Sequence, residues 1–240
     1  MPVEFWQLGA AWSITLAAAA LHGTIGFGFA LVNVPLLALI DSSLAPVPQL
    51  LLILPLNAAV VWRERYAVDL RGVGWVMAGR LPGAAAGLAL LATVDEDRLA
   101  TAIAVIILLA IVIVSSGVTV PRNRTTSFVA GTASGVMGLV AAIGGPPLAL
   151  LYRSERGATI RASLGTVFGL GVIISIAARA LASQISMNDI GIAALLLPAV
   201  AAGLWVGRRW RDRIEGSTMR AAILLVSGAA AAVLLVQSLV

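Results

Sequence analysis

Long apolar runs separated by short polar stretches make up the chain, at residues 6–40, 47–62, 73–94, 99–118, 128–151, 162–182, 190–206 and 221–240. A helix crossing the hydrocarbon of a bilayer needs about 20 residues, and only helices or closed barrels satisfy the backbone there. Most of the runs therefore predict single transmembrane helices. Strands of about ten residues with alternating polarity are absent, which excludes a barrel. Two runs depart from the pattern: residues 6–40 are too long for one crossing and are interrupted by GTIGFG, and residues 128–151 are interrupted by GVMGL and then GGPP. Glycine and proline at that density break helices.

Composition agrees with a membrane chain. Hydrophobic residues make up 60% and charged residues 11% of the sequence, and mean hydropathy is +1.01, more apolar surface than a soluble domain of this length can hide. The first ten residues carry Glu4 and no basic residue, so they lack the positive region of a secretory signal and are expected to remain in the mature chain. With no cysteine, disulfides, thiolate metal sites and cysteine nucleophiles are excluded. The net charge is +5 and every basic residue is arginine. In a soluble chain this would suggest a nucleic-acid partner; in short loops between apolar runs it marks the cytoplasmic face, and no nucleic acid is expected.

Arginine placement also discriminates between topologies. If all eight runs cross once, the loop arginines divide 5 to 9. If the two glycine-broken runs instead fold back as hairpins, the division is 13 to 1, with Arg98 alone on the minority face beside Glu4, Asp41, Asp95, Glu96, Asp97, Asp189 and both chain ends. The positive-inside rule favours the hairpins.

The chain repeats itself. Shifted by 112, Gly23, Gly26 and Pro35 fall on Gly135, Gly138 and Pro147, and PLLAL at 35–39 falls on PLALL at 147–151. Shifted by 116, LPGAAAGL at 81–88 falls on LPAVAAGL at 197–204. Two halves are expected, residues 1–118 and 127–240, joined by a polar linker at 119–126. With one hairpin and three crossings each, they would lie in opposite orientation, as in many secondary transporters. The expected fold is thus an all-α polytopic membrane protein of two inverted repeats, each a glycine-broken segment plus three transmembrane helices. Gly83, Gly87, Gly203 and Gly207 have the spacing of close helix packing.

The glycine-rich breaks followed by proline and an aliphatic run, TIRASLGT at 159–166 and the paired LPxxAxGL segments resemble the sulfite exporter TauE/SafE family of permeases over nearly the whole chain. The resemblance implies a bacterial inner-membrane transporter of sulfite, sulfonates or related organosulfur anions. It departs from the family at Phe29 and Asn33, where further glycines are usual, so the two breaks need not be equivalent.

A small oxyanion in a dry cavity needs donors to replace its water, and backbone amides at half-helix N-termini supply them with a favourable dipole. The candidates are Gly23, Thr24, Gly26 and Gly28 in the first break and Gly135, Gly138, Gly144 and Gly145 in the second, with Pro35, Pro146 and Pro147 marking where helix resumes. Asn33 and Thr166 are candidate side-chain donors, the alternative being bonds to neighbouring backbone. Arg80 lies deep in its run and is a candidate for the pathway, whereas Arg179 lies near a helix end and is expected to snorkel to the interface. His22, the only histidine, is a candidate carrier of a coupling proton, the alternative being a packing role. The acids lie in loops or near run ends, so no buried carboxylate relay is expected. Motifs such as HExxH or GxSxG are absent from the apolar runs, which argues against an enzyme. The expected partners are a small anionic substrate and the bilayer, with a homo-oligomer left open and no cofactor or metal. A passive anion channel and a non-transporting membrane subunit remain the alternatives.

Overall fold

The computed structural model describes residues 5–93, 96–118, 120–152, 155, 157–210 and 216–237. Thr119 of the linker, and Glu4, Asp95, Arg153, Arg156, Arg211 and Arg213 of the charge count, lie outside the described residues. Among the described residues ten α-helices follow one another: α1 (Phe5–Ile25), α2 (Phe29–Ile40), α3 (Val47–Glu64), α4 (Leu70–Thr93), α5 (Glu96–Ser115), α6 (Arg124–Ala141), α7 (Gly145–Leu151), α8 (Ala158–Leu181), α9 (Met187–Trp210) and α10 (Gly216–Gln237). No strand occurs among the described residues. Among the described residues five helical segments are long and apolar enough to cross a membrane: Phe5–Ile25, Ser42–Ala67, Leu70–Thr93, Ala158–Leu181 and Met187–Arg209. Leu81, Leu109, Val112, Ile173, Leu195 and Leu225 are exposed on the outside of the bundle, a surface suited to lipid and not to water. Trp62 and Trp205 near helix ends lie under the Arg65 and Arg209 guanidinium groups at 4.8 and 4.3 Å, an arrangement fitted to a membrane interface.

Both interrupted runs are broken helices. In the first, Gly26 and Gly28 have φ of 95° and 107°, values that exclude most side chains, and residues 26–28 are not helical. The chain then reverses. Thr15 donates from its hydroxyl to Asn33 Oδ1 at 3.3 Å; Thr15 lies ten residues before the end of α1, so only a returning α2 brings the two together. In the second, Ala142 takes the left-handed conformation at φ 59°, its N–H closing on the Met137 carbonyl in a helix-ending turn. The chain again turns back, because Ser134 Oγ donates to the Gly144 carbonyl at 2.5 Å.

Two positions differ from the sequence-based expectation. Pro35 does not mark where helix resumes: α2 starts at Phe29 and Pro35 lies inside it, near a break whose turn the glycines alone provide. The breaks also align differently. Ile25 and Ala141 close the first helix of each half and Phe29 and Gly145 open the second, an offset of 116 in both places, the same as that of the LPxxAxGL segments and not the 112 suggested by Gly23 and Gly135. Under this register the left-handed Gly26 corresponds to Ala142.

Helix contacts come in pairs. α4 packs along α6 as α9 does along α1; α4 meets α8 as α9 meets α3; α2 meets α10 as α7 meets α5; and α3 with α8 and α5 with α10 form the centre lines. The glycines expected to serve packing do so. A Cβ at Gly83 would fall on the Thr132 carbonyl, and one at Gly203 or Gly207 on the carbonyl of Leu16 or Ala20, while Gly87 faces Leu139. Without side chains there, the helix backbones approach closely enough for dispersion contacts to hold the bundle where the hydrophobic effect is weak. Between the halves, α6 begins at Arg124 with an Asn123–Thr126 capping box, and Arg122 pairs with Asp69 at 3.1 Å and Glu155 at 3.2 Å.

Candidate anion site at the paired helix breaks

The two breaks meet at one cavity of about 50 Å³, room for a few waters or a small oxyanion. Residues 28–31 at the start of α2 form part of its wall and residues 142–145 another part. The first amides of a helix have no partner in their own ladder, so the N-terminal end of α2 brings free N–H groups and a positive dipole end to the cavity.

Arg80, from the middle of α4, is 4% exposed and lines the same cavity. Its Nη1 donates to Ser134 Oγ at 2.7 Å, and the same hydroxyl donates onward to the Gly144 carbonyl, so one serine fixes the cation and the second break together. The guanidinium lies in a slot of glycines. A Cβ at Gly138 would come within 3.0 Å of Nη2, one at Gly144 within 3.1 Å of Nη1, and one at Gly171 on α8 would fall on the guanidinium itself. Among the described residues no carboxylate pairs with Arg80, and Ser134 is the acceptor shown for its donors. A buried charge is costly unless paired, and a guanidinium with unused donors facing a cavity lined by helix N-termini is built to receive an anion.

His22, Asn57 and Ser175 are the other polar side chains lining the cavity, and Phe27, Phe29 and Phe168 are among the apolar lining. Neither nitrogen of His22 nor Oδ1 of Asn57 has a hydrogen-bond partner among the described residues.

Of the positions singled out from sequence, Gly28, Gly138, Gly144, Gly145, Arg80 and His22 line the cavity. Pro146 and Pro147 occupy the first turn of α7, where no intrahelical N–H bond is lost. The others lie elsewhere. Gly23 packs on Leu204, and Gly135 packs on the α4 backbone at Arg80 and Ala84. Gly26 is backed by Arg161, whose Cγ would stand 2.7 Å from a Cβ there. Thr24 bonds the carbonyls of Ala20 and Gly207, and Thr166 bonds that of Ala162 at 2.7 Å. Asn33 donates to Gln49 Oε1, and Gln49 in turn donates to the Leu44 carbonyl at 2.7 Å.

One charge expectation is corrected. Arg179 does not snorkel: it is 3% exposed and donates to the carbonyls of Leu139 (2.7 and 3.1 Å) and Val140 (3.1 Å). It caps the C-terminal end of α6 beside the second break, where orphan carbonyls and a negative dipole end receive a cation. One acid at a helix end is nonetheless shielded from solvent. Glu64 is buried and holds Arg161 by two near-parallel bonds, Nε to Oε2 at 2.9 Å and Nη2 to Oε1 at 3.0 Å, directly behind Gly26. Sequence reading missed Asn57, Ser134 and Gly171. The first was visible as an amide inside an apolar run and the second as a hydroxyl beside a break; Gly171 had no local signal, because only the packing of α8 brings it to Arg80.

The model of the sulfite exporter TauE/SafE family matches residues 11–234 of the chain. The chain belongs to the sulfite exporter TauE/SafE family. That family is one of membrane transporters of sulfur-anion type and not of enzymes, and the TauE/SafE match spans both breaks and the Arg80 cavity. No curated protein and no solved structure matches the chain significantly.

Proposed function

We propose that this TauE/SafE protein is a secondary transporter that carries a small sulfur oxyanion, sulfite or a sulfonate, through the cavity between its two helix breaks. Arg80 supplies the charge, the amides of residues 28–31 and of Gly144 and Gly145 supply donors that replace hydration, and Gly138 and Gly171 keep the guanidinium in place. The observation that carries this reading is the buried Arg80, with unused donors and no carboxylate partner among the described residues, at the point where both breaks converge.

The halves 1–118 and 127–240 act as inverted repeats that enclose the site from opposing faces. The paired helix contacts and the common offset of 116 support this. The arginine-rich loops lie on the cytoplasmic side of a bacterial inner membrane.

Counterflow in proteoliposomes tests the function. Unlabelled sulfite inside should accelerate entry of labelled sulfite in the wild type, and Arg80→Gln should remove the acceleration. Sulfite flux without trans-stimulation would mean a pore, and undiminished counterflow in the variant would remove Arg80 from the site. Single cysteines test the topology on a background that has none: Val68→Cys and Gly157→Cys should label from the same face. Labelling from opposite faces would mean single crossings and no hairpins.

A further inference from the structure

His22 is 3% exposed, stands on α1 four residues before the left-handed Gly26, and lines the cavity with Arg80. Its ring lies 6.5 Å from that of Phe168, tilted by 60°. Asn57 is its polar neighbour, yet neither ring nitrogen makes a hydrogen bond of normal geometry with any described residue. A neutral imidazole used only for packing leaves a buried donor and a buried acceptor unmet, which native interiors avoid. The ring is therefore built for a partner that enters the cavity.

Among the described residues, the charged groups around it are few. α1 and α2 carry no other ionisable side chain. α4 brings Arg80. α3 brings Arg63 and Glu64, the latter held by Arg161 of α8, whose Arg179 is spent on the α6 carbonyls. α9 carries Arg208 and Arg209 near the end of α1, both exposed, and Asp189 at its opposite end; α6 carries Arg124 at its far, exposed end.

From this arrangement we infer that His22 is the proton site of the transporter, and that one proton enters the cavity with each anion and leaves with it. This rests on the anion reading of the Arg80 cavity. In the empty cavity an imidazolium would share a small, poorly hydrated space with the Arg80 guanidinium, and a buried charge without a counter-ion is costly. An anion between them reverses the balance, accepting a bond from the imidazolium on one side and from the guanidinium on the other. Proton and anion consequently bind with positive coupling, and each must raise the affinity for the other by the same factor. The proton comes from the water on the entry side, stays on one ring nitrogen during the transition and returns to water on the exit side, so no other reactant is needed.

Binding of labelled methanesulfonate to the purified full-length protein provides the test, because the sulfonate stays ionised throughout and any pH dependence belongs to the protein. Affinity should rise by up to about tenfold per unit as pH falls from about 8 to 5.5. In weakly buffered solution, binding should remove up to one proton per anion from the medium, a readout that needs no variant. His22→Gln should bind with an affinity independent of pH and take up no proton. Binding by the wild type that is independent of pH, or a slope retained in His22→Gln, would overturn the coupling while leaving the anion site standing. Absence of methanesulfonate and sulfite binding at every pH would overturn both.

Discussion

The two helix breaks perform the same chain reversal with different chemistry. The first turns on Gly26 and Gly28, leads into the 12-residue α2, and is backed by a buried ion pair between Arg161 and Glu64. The second turns on Ala142, leads into the 7-residue α7 with two prolines in its first turn, and is held by Ser134 and Arg179 through its carbonyl groups. The cation aimed at the cavity accompanies the second break, through the Arg80–Ser134–Gly144 chain, and the histidine belongs to the first. A similar backbone frame thus occurs at both breaks, while the polar groups around it differ. Under the proposed function this makes one composite site, with Arg80 on the anion-binding side and His22 on the titratable side, and not two equivalent sites.

That contrast can be broken experimentally. The largest expected effect is on the backing of the first break: Glu64→Leu strands a buried Arg161 and should cost about 3 kcal/mol, read as a lowered apparent unfolding temperature in detergent. Glu64→Leu with Arg161→Met should recover most of it, and no recovery would mean that the pair has another role. Next, the turns themselves should respond oppositely. Gly26→Ala puts a Cβ against Arg161 at a left-handed residue and should cost about 2 kcal/mol. Ala142→Gly, at the matching position, relieves a similar backbone cost and should change stability by less than about 1 kcal/mol. Equal losses in the two variants would contradict the proposed register. A smaller effect is expected at Gly171→Ala, where the added methyl displaces only the flexible end of Arg80; the protein should keep its thermal stability while sulfite counterflow falls about tenfold, the scale of one weakened charged contact. Smallest of all is Thr166→Val. Its hydroxyl bonds only the preceding turn of α8, so stability should stay within about 0.5 kcal/mol and transport should be unchanged.

Much of this arrangement was legible because membrane helices leave strong, local marks in sequence. The eight apolar runs return as helices, and both interrupted runs are broken, because glycine and proline act on the backbone where they stand. Gly83, Gly87, Gly203 and Gly207 sit at close helix contacts as their spacing suggests. Side-chain roles were less legible. Thr24, Asn33 and Thr166 carry donors that anion recognition could use, but Thr166 bonds the preceding turn of its own helix, Thr24 bonds its own turn and Gly207, and Asn33 bonds Gln49. Arg179 reads as interfacial because it lies near a helix end, and it is buried because the C-terminal end of α6 meets it there.

What the sequence determined by itself is an all-helical chain with two breaks, since hydropathy, run length and glycine content act over a few residues and do not depend on what packs beside them. Only the tertiary structure decided that both breaks open on a single cavity, that Arg80 reaches it through a slot of glycines from three separate segments, and that His22 lines it with no hydrogen bond of normal geometry among the described residues. Contacts between helices far apart in the chain depend on the sum of many small packing terms, and no single residue announces them.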